Sequence, residues 1–271
     1  MQDNREFEPI EAEEETEERK SNAKRLFLIF IIVFAIVFCA VYFGAKYYYN
    51  RKAEPATTTL PASTAQTIDD RVENPIDFKT LIEGNSDIYA YIYIEDTNVS
   101  YPIVQSPTDD EFYLKHSAED KSYLPQGAIY TELCNHKNFN DPFTIIYGHN
   151  NYGDSMFTTL HYFEDSEFFE SHPYFYIYTP DRRLTYQVVS AFKYDDRHIM
   201  NMYTNFSNRT LVDDFQKVVL NPESSLKNVR EELDVTVDRD SKFVILSTCI
   251  TNQPSSRYLV CGVLTKDEKT Y

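Results

Sequence analysis

One long uncharged run stands near the start of the chain, and many short apolar runs follow it. The long run, Leu26–Ala45, has 20 residues without a charge between Arg25 and Lys46. At about 1.5 Å of rise per residue, a helix of this length spans the roughly 30 Å hydrocarbon core of a bilayer. A cleaved signal peptide has a shorter apolar run, of about 7–15 residues, so the pattern predicts an uncleaved transmembrane anchor at 26–45.

The segments that flank this run are polar. Residues 1–25 are acidic, which predicts a solvated tail, and residues 46–70 are rich in Ala, Thr and Pro, which predicts an extended linker. Four basic residues from Arg19 to Arg25 precede the span and three from Lys46 to Lys52 follow it. This small bias favours a cytoplasmic tail, with the rest of the chain outside the membrane.

Beyond the linker, short apolar, β-branched and aromatic runs are separated by turn residues. We expect strands at Ile88–Ile94, Tyr101–Val104, Ala128–Tyr130, Phe143–Tyr147, Tyr174–Tyr178, Leu184–Phe192, Phe243–Thr248 and Tyr258–Leu264. Helices are predicted near Asp77–Gly84 and, from a one-sided apolar pattern that ends at Asn221-Pro222, at Arg209–Leu220. Seven or eight strands with few helices predict an antiparallel barrel or sandwich in a single domain, residues 71–271.

Composition narrows the classes of function. The 271 residues include 43 Asp plus Glu against 26 Lys plus Arg, a formal charge of -17, which argues against a nucleic-acid partner. Aromatic residues make up 15% and glycines number only 6, which suits β-rich packing and not a glycine-rich phosphate loop. The chain has no HExxH and no paired CxxC, and Cys134, His136 and Asp141 lack a fourth ligand, so we expect neither metal nor cofactor.

Three residues with reactive or charged side chains stand at the ends of apolar runs. Cys249 ends one run, and Arg257, eight residues later, opens the next; a loop of that size returns Arg257 close to Cys249. A guanidinium beside a thiol favours the thiolate and can hydrogen-bond an oxyanion. His149 follows a third run after Gly148, and histidine is a suitable proton donor to a leaving amine.

Each of these residues also has an ordinary structural explanation when taken alone. Cys249 would then be a small buried hydrophobe, Arg257 a surface charge and His149 a solvent-facing loop residue. With Cys39 inside the predicted span, three cysteines remain in the outer part. An odd number leaves at least one thiol outside any disulfide.

Together these stretches resemble the sortases, the cysteine transpeptidases of Gram-positive cell surfaces. The family's nucleophile motif, TLxTC, is matched at Leu246, Thr248 and Cys249, with Ile245 in place of the first Thr. The resemblance is closer to class B, whose histidine motif is similar to YGHNNYGDSMF at Tyr147–Phe157. YPIVQ at residues 101–105 and the helix at 209–220 also fit that class, whereas Ile250 stands where class B members often carry a polar or acidic residue.

The resemblance implies a sortase-like eight-stranded β-barrel with peripheral helices, preceded by one transmembrane helix. It implies that Cys249 is the nucleophile, that His149 is the general acid and base, and that Arg257 stabilises the oxyanion. It also implies substrate contacts from Ser247, Tyr147 and Thr248. No metal or cofactor is implied, because a thioester exchange needs neither.

The implied activity is cleavage of a C-terminal sorting signal of a surface protein, followed by transfer of the acyl group to a peptidoglycan cross-bridge amine outside the membrane. Three alternatives stay open. In the first, the attacking amine is a pilin lysine and the product is a pilus polymer. In the second, the chain is a papain-like wall hydrolase, although here the cysteine follows the histidine in the chain. The third alternative is a membrane-anchored binding domain without catalysis, in which Cys249 is dispensable.

Overall fold

The structure is a computed structural model that describes residues 29–48, 71–151, 153–197, 199 and 206–271. These residues belong to two compact units, which are divided after Tyr48. In the first, helix α1 covers Ile29–Tyr48 and is long and apolar enough to cross a membrane. The predicted tail (1–25), the first residues of the predicted span and most of the predicted linker (46–70) lie outside the described residues, while α1 continues three residues beyond Ala45.

The second unit is a closed β-barrel. Its strands are β1 Ile88–Tyr93, β2 Ser100–Val104, β3 Ile129–Tyr130, β4 Phe143–Tyr147, β5 Tyr174–Thr179, β6 Arg182–Asp195, β7 Lys227–Val229, β8 Phe243–Ile250 and β9 Gln253–Lys269. Hydrogen bonding runs in the order β5-β1-β2-β3-β4-β8-β9-β6, and pairing of β5 with β6 closes the ring. The predicted eight-stranded barrel is confirmed, and β7 adds a further short strand to the edge of β6.

The prediction of a wholly antiparallel barrel is wrong for two of its strand pairs. β2 pairs in parallel with β3, and β4 pairs in parallel with β8. Parallel neighbours need a long connection, and the segment between β4 and β8 supplies one by carrying β5, β6 and β7. Tyr147 lies opposite Ser247, so the C-terminal ends of β4 and β8 meet at the same rim of the barrel.

Short helices surround the barrel. They are α2 Phe78–Gly84, α3 Ser166–Ser171 and α4 Arg209–Leu220, with 3-10 helices at Phe112–Leu114 and Thr158–Glu164. The predicted helix at 209–220 is confirmed, and it begins where the Asn208 side chain accepts a hydrogen bond from the Thr210 amide. Helix α3, the two 3-10 helices and β7 are too short to show a period in the sequence and were not predicted.

Two apolar clusters hold the rim in place from both sides of the sheet. Leu246 of β8 and Phe157 belong to the cluster that fills the barrel. Ile245 of β8 belongs to a second cluster outside it, together with Val212 and Phe215 of α4. Because full burial of such a side chain contributes roughly 1.5–3 kcal/mol, both faces of β8 are strongly fixed up to the point where it becomes polar.

Candidate active site

Strand β8 changes from buried apolar residues to an exposed thiol within seven positions. Residues from Phe243 to Thr248 are buried, and Cys249 is exposed at the rim. Cys249 pairs directly with Arg257 of β9, and the register shifts immediately afterwards, where Ile250 pairs with Gln253. The predicted proximity of Cys249 and Arg257 is therefore present, although β9 begins at Gln253, five residues before the expected start at Tyr258.

The Arg257 guanidinium is anchored by main-chain carbonyls of its own strand. Its Nη1 donates to the oxygens of Pro254 and Ser256, each at 3.0 Å. Within the described ranges no carboxylate makes a salt bridge to Arg257, and the side chain is half-buried. A guanidinium has five N–H donors, so the remaining ones are available to a ligand in front of Cys249.

His149 follows β4 at the same rim and is oriented by a main-chain carbonyl. Its Nε2 lies 2.9 Å from the carbonyl oxygen of Leu114. Because a carbonyl only accepts, this contact assigns the proton to Nε2 in the neutral ring and leaves Nδ1 as the acceptor. Gly148 directly precedes His149 at a point where the neighbouring side chains leave no room for a Cβ. A Cβ there would lie 2.5 Å from Ile129 Cδ1 and 2.6 Å from Phe157 Cγ.

A buried polar network fixes the 3-10 helix that contains Leu114. The Tyr113 hydroxyl donates to Asp87 at 2.7 Å and accepts from Asn85 at 2.9 Å, while Lys121 Nζ lies 2.7 Å from Asp87. Burial works to raise the pKa of Asp87, but the hydrogen bonds from Lys121 and Tyr113 hold it below its usual value. The network thus supports the carbonyl that orients His149.

All six residues proposed for the site from the sequence line one open cleft. They are Cys249, His149, Arg257, Ser247, Thr248 and Tyr147. Ser247 shares the face of Cys249, because alternate side chains of a strand point the same way. Thr248 shares the face of Leu246, and its buried hydroxyl has no hydrogen-bond partner among the described residues.

An aromatic pair and several carboxylates form another side of this cleft, and no sequence pattern pointed to the carboxylates. Tyr147 stacks on Tyr130 with ring centroids 5.4 Å apart. Burial, and then the charge of Glu132, raise the pKa of Tyr147 far above its ordinary value, so the phenol is neutral at physiological pH. Asp110, Glu111 and Glu132 also line the cleft, and Glu132 is itself buried.

The other two cysteines of this unit have unreactive surroundings. Cys261 is fully buried in the cluster beneath α4. Burial and the charge of Glu132 raise the pKa of the Cys134 thiol to about 12, which keeps it protonated. Among the described residues no group of three His, Cys, Asp or Glu side chains has an arrangement that could hold a metal ion.

Comparison with known proteins identifies the family. The family model of the sortase domain matches residues 92–265. The chain belongs to the sortase family. The Sortase B of Listeria monocytogenes is 29% identical over 183 residues, which cover 65% of this chain and 68% of that protein.

Solved structures of class B sortases are similar to the barrel of this chain. The sortase superposes on Clostridium perfringens Sortase B with a TM-score of 0.62 and 26% identity, covering 69% of this chain and 99% of that one. It superposes on a Streptococcus pyogenes class B sortase described as involved in pilus biogenesis with a TM-score of 0.61 and 26% identity, covering 70% and 98%. The chain is thus a cysteine transpeptidase close to class B, which confirms the family assigned from its motifs.

Proposed function

We propose that this sortase cleaves a sorting signal near the C-terminus of a surface protein and transfers the new acyl end to a primary amine of the cell wall. The observation that carries the proposal is the meeting of Cys249, Arg257 and His149 in one open cleft at the barrel rim. An exposed thiol, a guanidinium and an imidazole are the groups that acyl transfer through a thioester requires.

In the first half-reaction the Cys249 thiolate attacks the carbonyl carbon of the scissile amide. Arg257, which lies opposite Cys249 and keeps free N–H donors, stabilises the negative oxygen of the tetrahedral intermediate. His149 gives a proton to the departing amine nitrogen as the C–N bond breaks. The products are a thioester on Cys249 and a free C-terminal fragment.

In the second half-reaction an amine attacks the thioester carbon. His149 takes the proton of the incoming amine, and the C–S bond breaks to return the Cys249 thiolate and leave a new amide. Ser247, Tyr147 and Thr248 contact the bound signal from the walls of the same cleft. We assign the amine to a peptidoglycan precursor or cross-bridge.

We place the enzyme in the cell membrane, with a cytoplasmic N-terminus and the barrel outside. The apolar helix α1 is compatible with a single-pass anchor. An external catalytic unit is consistent with wall amines and surface proteins as partners. The acidic balance of the chain is consistent with the absence of a nucleic-acid partner.

A pilin lysine is a second candidate for the amine, favoured by the similarity to the Streptococcus pyogenes class B sortase that is described as involved in pilus biogenesis. Both candidates use the same first half-reaction. They differ in the acceptor of the second half-reaction. It is either a wall amine, of glycine type or another type, or the side chain of a lysine within a folded protein.

The test is a transfer assay with the full-length chain in detergent. Peptides of LPxTG and NPxTN type are incubated with triglycine or with Nα-acetyl-lysine amide, and products are identified by mass. We expect a ligated peptide with an amine and none with Cys249→Ala. Transfer to the lysine amide alone favours the pilus alternative, and no ligation or cleavage of any peptide contradicts the proposal and favours a binding domain.

A further inference from the structure

The main-chain carbonyl of the proposed nucleophile is held by two side chains from another part of the barrel. Asn150 Nδ2 donates to the Cys249 oxygen at 3.0 Å, and His161 Nε2 lies 3.0 Å from the same atom. The β8–β9 register shifts directly after Cys249, so the regular ladder ends at this residue. Side-chain donors thus take over the support of the strand where the backbone pairing becomes irregular.

His161 is itself held by two further contacts. Its Nδ1 lies 2.6 Å from Glu164 Oε1 within the same 3-10 helix. Its ring stacks on Tyr258 of β9, with centroids 5.0 Å apart and an interplanar angle of 26°. Tyr258 pairs with Thr248, the neighbour of Cys249, so the ring rests on the strand next to the nucleophile.

Two partners of the His161 ring nitrogens are acceptors. A carboxylate oxygen of Glu164 faces Nδ1, and a carbonyl oxygen of Cys249 faces Nε2. A ring with a proton on Nε2 donates to the Cys249 oxygen. The Asn150 amide nitrogen lies 3.0 Å from the Cys249 oxygen, 3.1 Å from Thr251 Oγ1 and 3.2 Å from His161 Nε2, so the two side chains also contact each other.

Asn150 and His161, the two side chains that bond the Cys249 carbonyl, are called the clamp below. Asn150 belongs to the segment that also carries the proposed acid, His149. Asn150 directly follows His149 in the chain. Its bond to the Cys249 carbonyl therefore ties the main chain beside the imidazole to the main chain of the thiol. The charged or titratable groups that face His161 are Glu164 from its own helix, Cys249 from β8 and Tyr258 from β9.

We infer that His161, braced by Glu164, is a positioning residue for the nucleophile: it fixes the Cys249 carbonyl and so aims the thiol into the cleft. The inference rests on the proposed function, in which Cys249 is acylated. His161 contacts no substrate atom in this role. It acts through the backbone of Cys249.

The test compares His161→Ala and His161→Gln with wild type in the full-length chain in detergent. Glutamine is neutral and retains an amide donor of similar reach. His172→Ala is the matched control, because His172 also bonds a carboxylate, Asp96 at 3.0 Å, and a carbonyl, Phe168 at 2.9 Å, and stacks on a ring, yet does not line the cleft. Readouts are kcat and KM for peptide cleavage, the rate of Cys249 alkylation by iodoacetamide, and Tm.

We expect His161→Ala to lower kcat by about 10-fold to 100-fold with KM unchanged, since misplacing a nucleophile costs that much. Alkylation of Cys249 should slow as well. His161→Gln should recover much of kcat, and His172→Ala should match wild type in kcat while losing as much Tm as His161→Ala. Wild-type kcat and alkylation in His161→Ala, equal losses in His161→Gln, or an equal kcat loss in His172→Ala each overturn the inference.

Failure of the proposed function gives a different result. The wild-type chain would then cleave no peptide, whereas Cys249 alkylation would still report on His161. Slower alkylation in His161→Ala than in His172→Ala would uphold the clamp without transpeptidation, and equal alkylation would reject it.

Discussion

Cys249 on β8 lies directly opposite Arg257 on β9, at the last regular pair before the register of the two strands shifts. Side chains paired in this way have Cβ atoms about 4.5–5.5 Å apart. The relationship depends on the whole ladder from Phe243 onward, because a slip of one residue would turn Arg257 to the opposite face. The geometry of the proposed oxyanion site is therefore a property of the barrel and not of a flexible loop.

Replacing Arg257 with lysine should lower kcat/KM by about 100-fold, although the charge is kept. Lysine lacks the planar fork that bonds the carbonyls of Pro254 and Ser256 while presenting further donors to the cleft. The measurement is the rate of peptide cleavage by the full-length chain. Arg183→Lys, which alters an arginine paired with Glu268 at the far end of β9, is the control and should keep full activity.

Gly148→Ala should destabilise the fold by about 1–3 kcal/mol, the usual cost of overpacking. The new Cβ would lie 2.5 Å from Ile129 Cδ1 and 2.6 Å from Phe157 Cγ, both inside the barrel cluster. Chemical denaturation measures the change, and cleavage should fall because His149 is the next residue. Gly84→Ala, where the Cβ would meet only the Glu119 carbonyl at 3.3 Å, should stay near wild type; equal stability of the two variants would argue against the tight fit at Gly148.

Asp87→Asn should lower the free energy of unfolding at pH 7 by about 1–2 kcal/mol, because it weakens the bonds to Lys121 and Tyr113. The pKa of Asp87 is lower in the folded chain than its usual 3.8, so this stabilisation is complete above about pH 5 and is lost as the pH falls through the folded pKa. Urea titrations of both proteins between pH 7 and pH 2 measure the difference, which should shrink only in the acid range. A difference that is constant with pH would contradict the assignment.

The neutral ring of His149 should carry its proton on Nε2, because the Leu114 carbonyl at 2.9 Å accepts from that atom. Nitrogen NMR of histidine-labelled protein distinguishes the two tautomers, and His149→Gln identifies the signal. A neutral ring protonated on Nδ1 would be incompatible with this hydrogen bond and with Nδ1 as the nitrogen that exchanges protons.

Local pattern was enough to predict the Cys249–Arg257 pair, because the two residues flank a single turn and the strands on either side are apolar. The proximity of Cys249 to His149 could not be predicted from local pattern. His149 lies 100 positions before Cys249, and the two meet only because β4 and β8 run in parallel. Periodicity cannot reveal such a pairing, so this part of the site came from the resemblance of motifs alone.

The supporting residues of the site could not be predicted for a similar reason. Glu132 lines the cleft from the connection after β3, and His161 reaches Cys249 from a 3-10 helix of seven residues. Neither element has a sequence period, and among polar loop residues neither side chain stands out. Their roles follow from the closure of the barrel, which brings distant connections to one rim.

The most direct test of the central claim is the intact mass of the full-length chain after incubation with LPxTG-type and NPxTN-type peptides and no amine. We predict a mass increase equal to the peptide acyl fragment in wild type and in Cys134→Ser, and none in Cys249→Ala. Hydroxylamine should remove the adduct, as it does a thioester. An adduct that persists in Cys249→Ala, or no adduct in wild type while the peptides are cleaved, would contradict a thioester on Cys249.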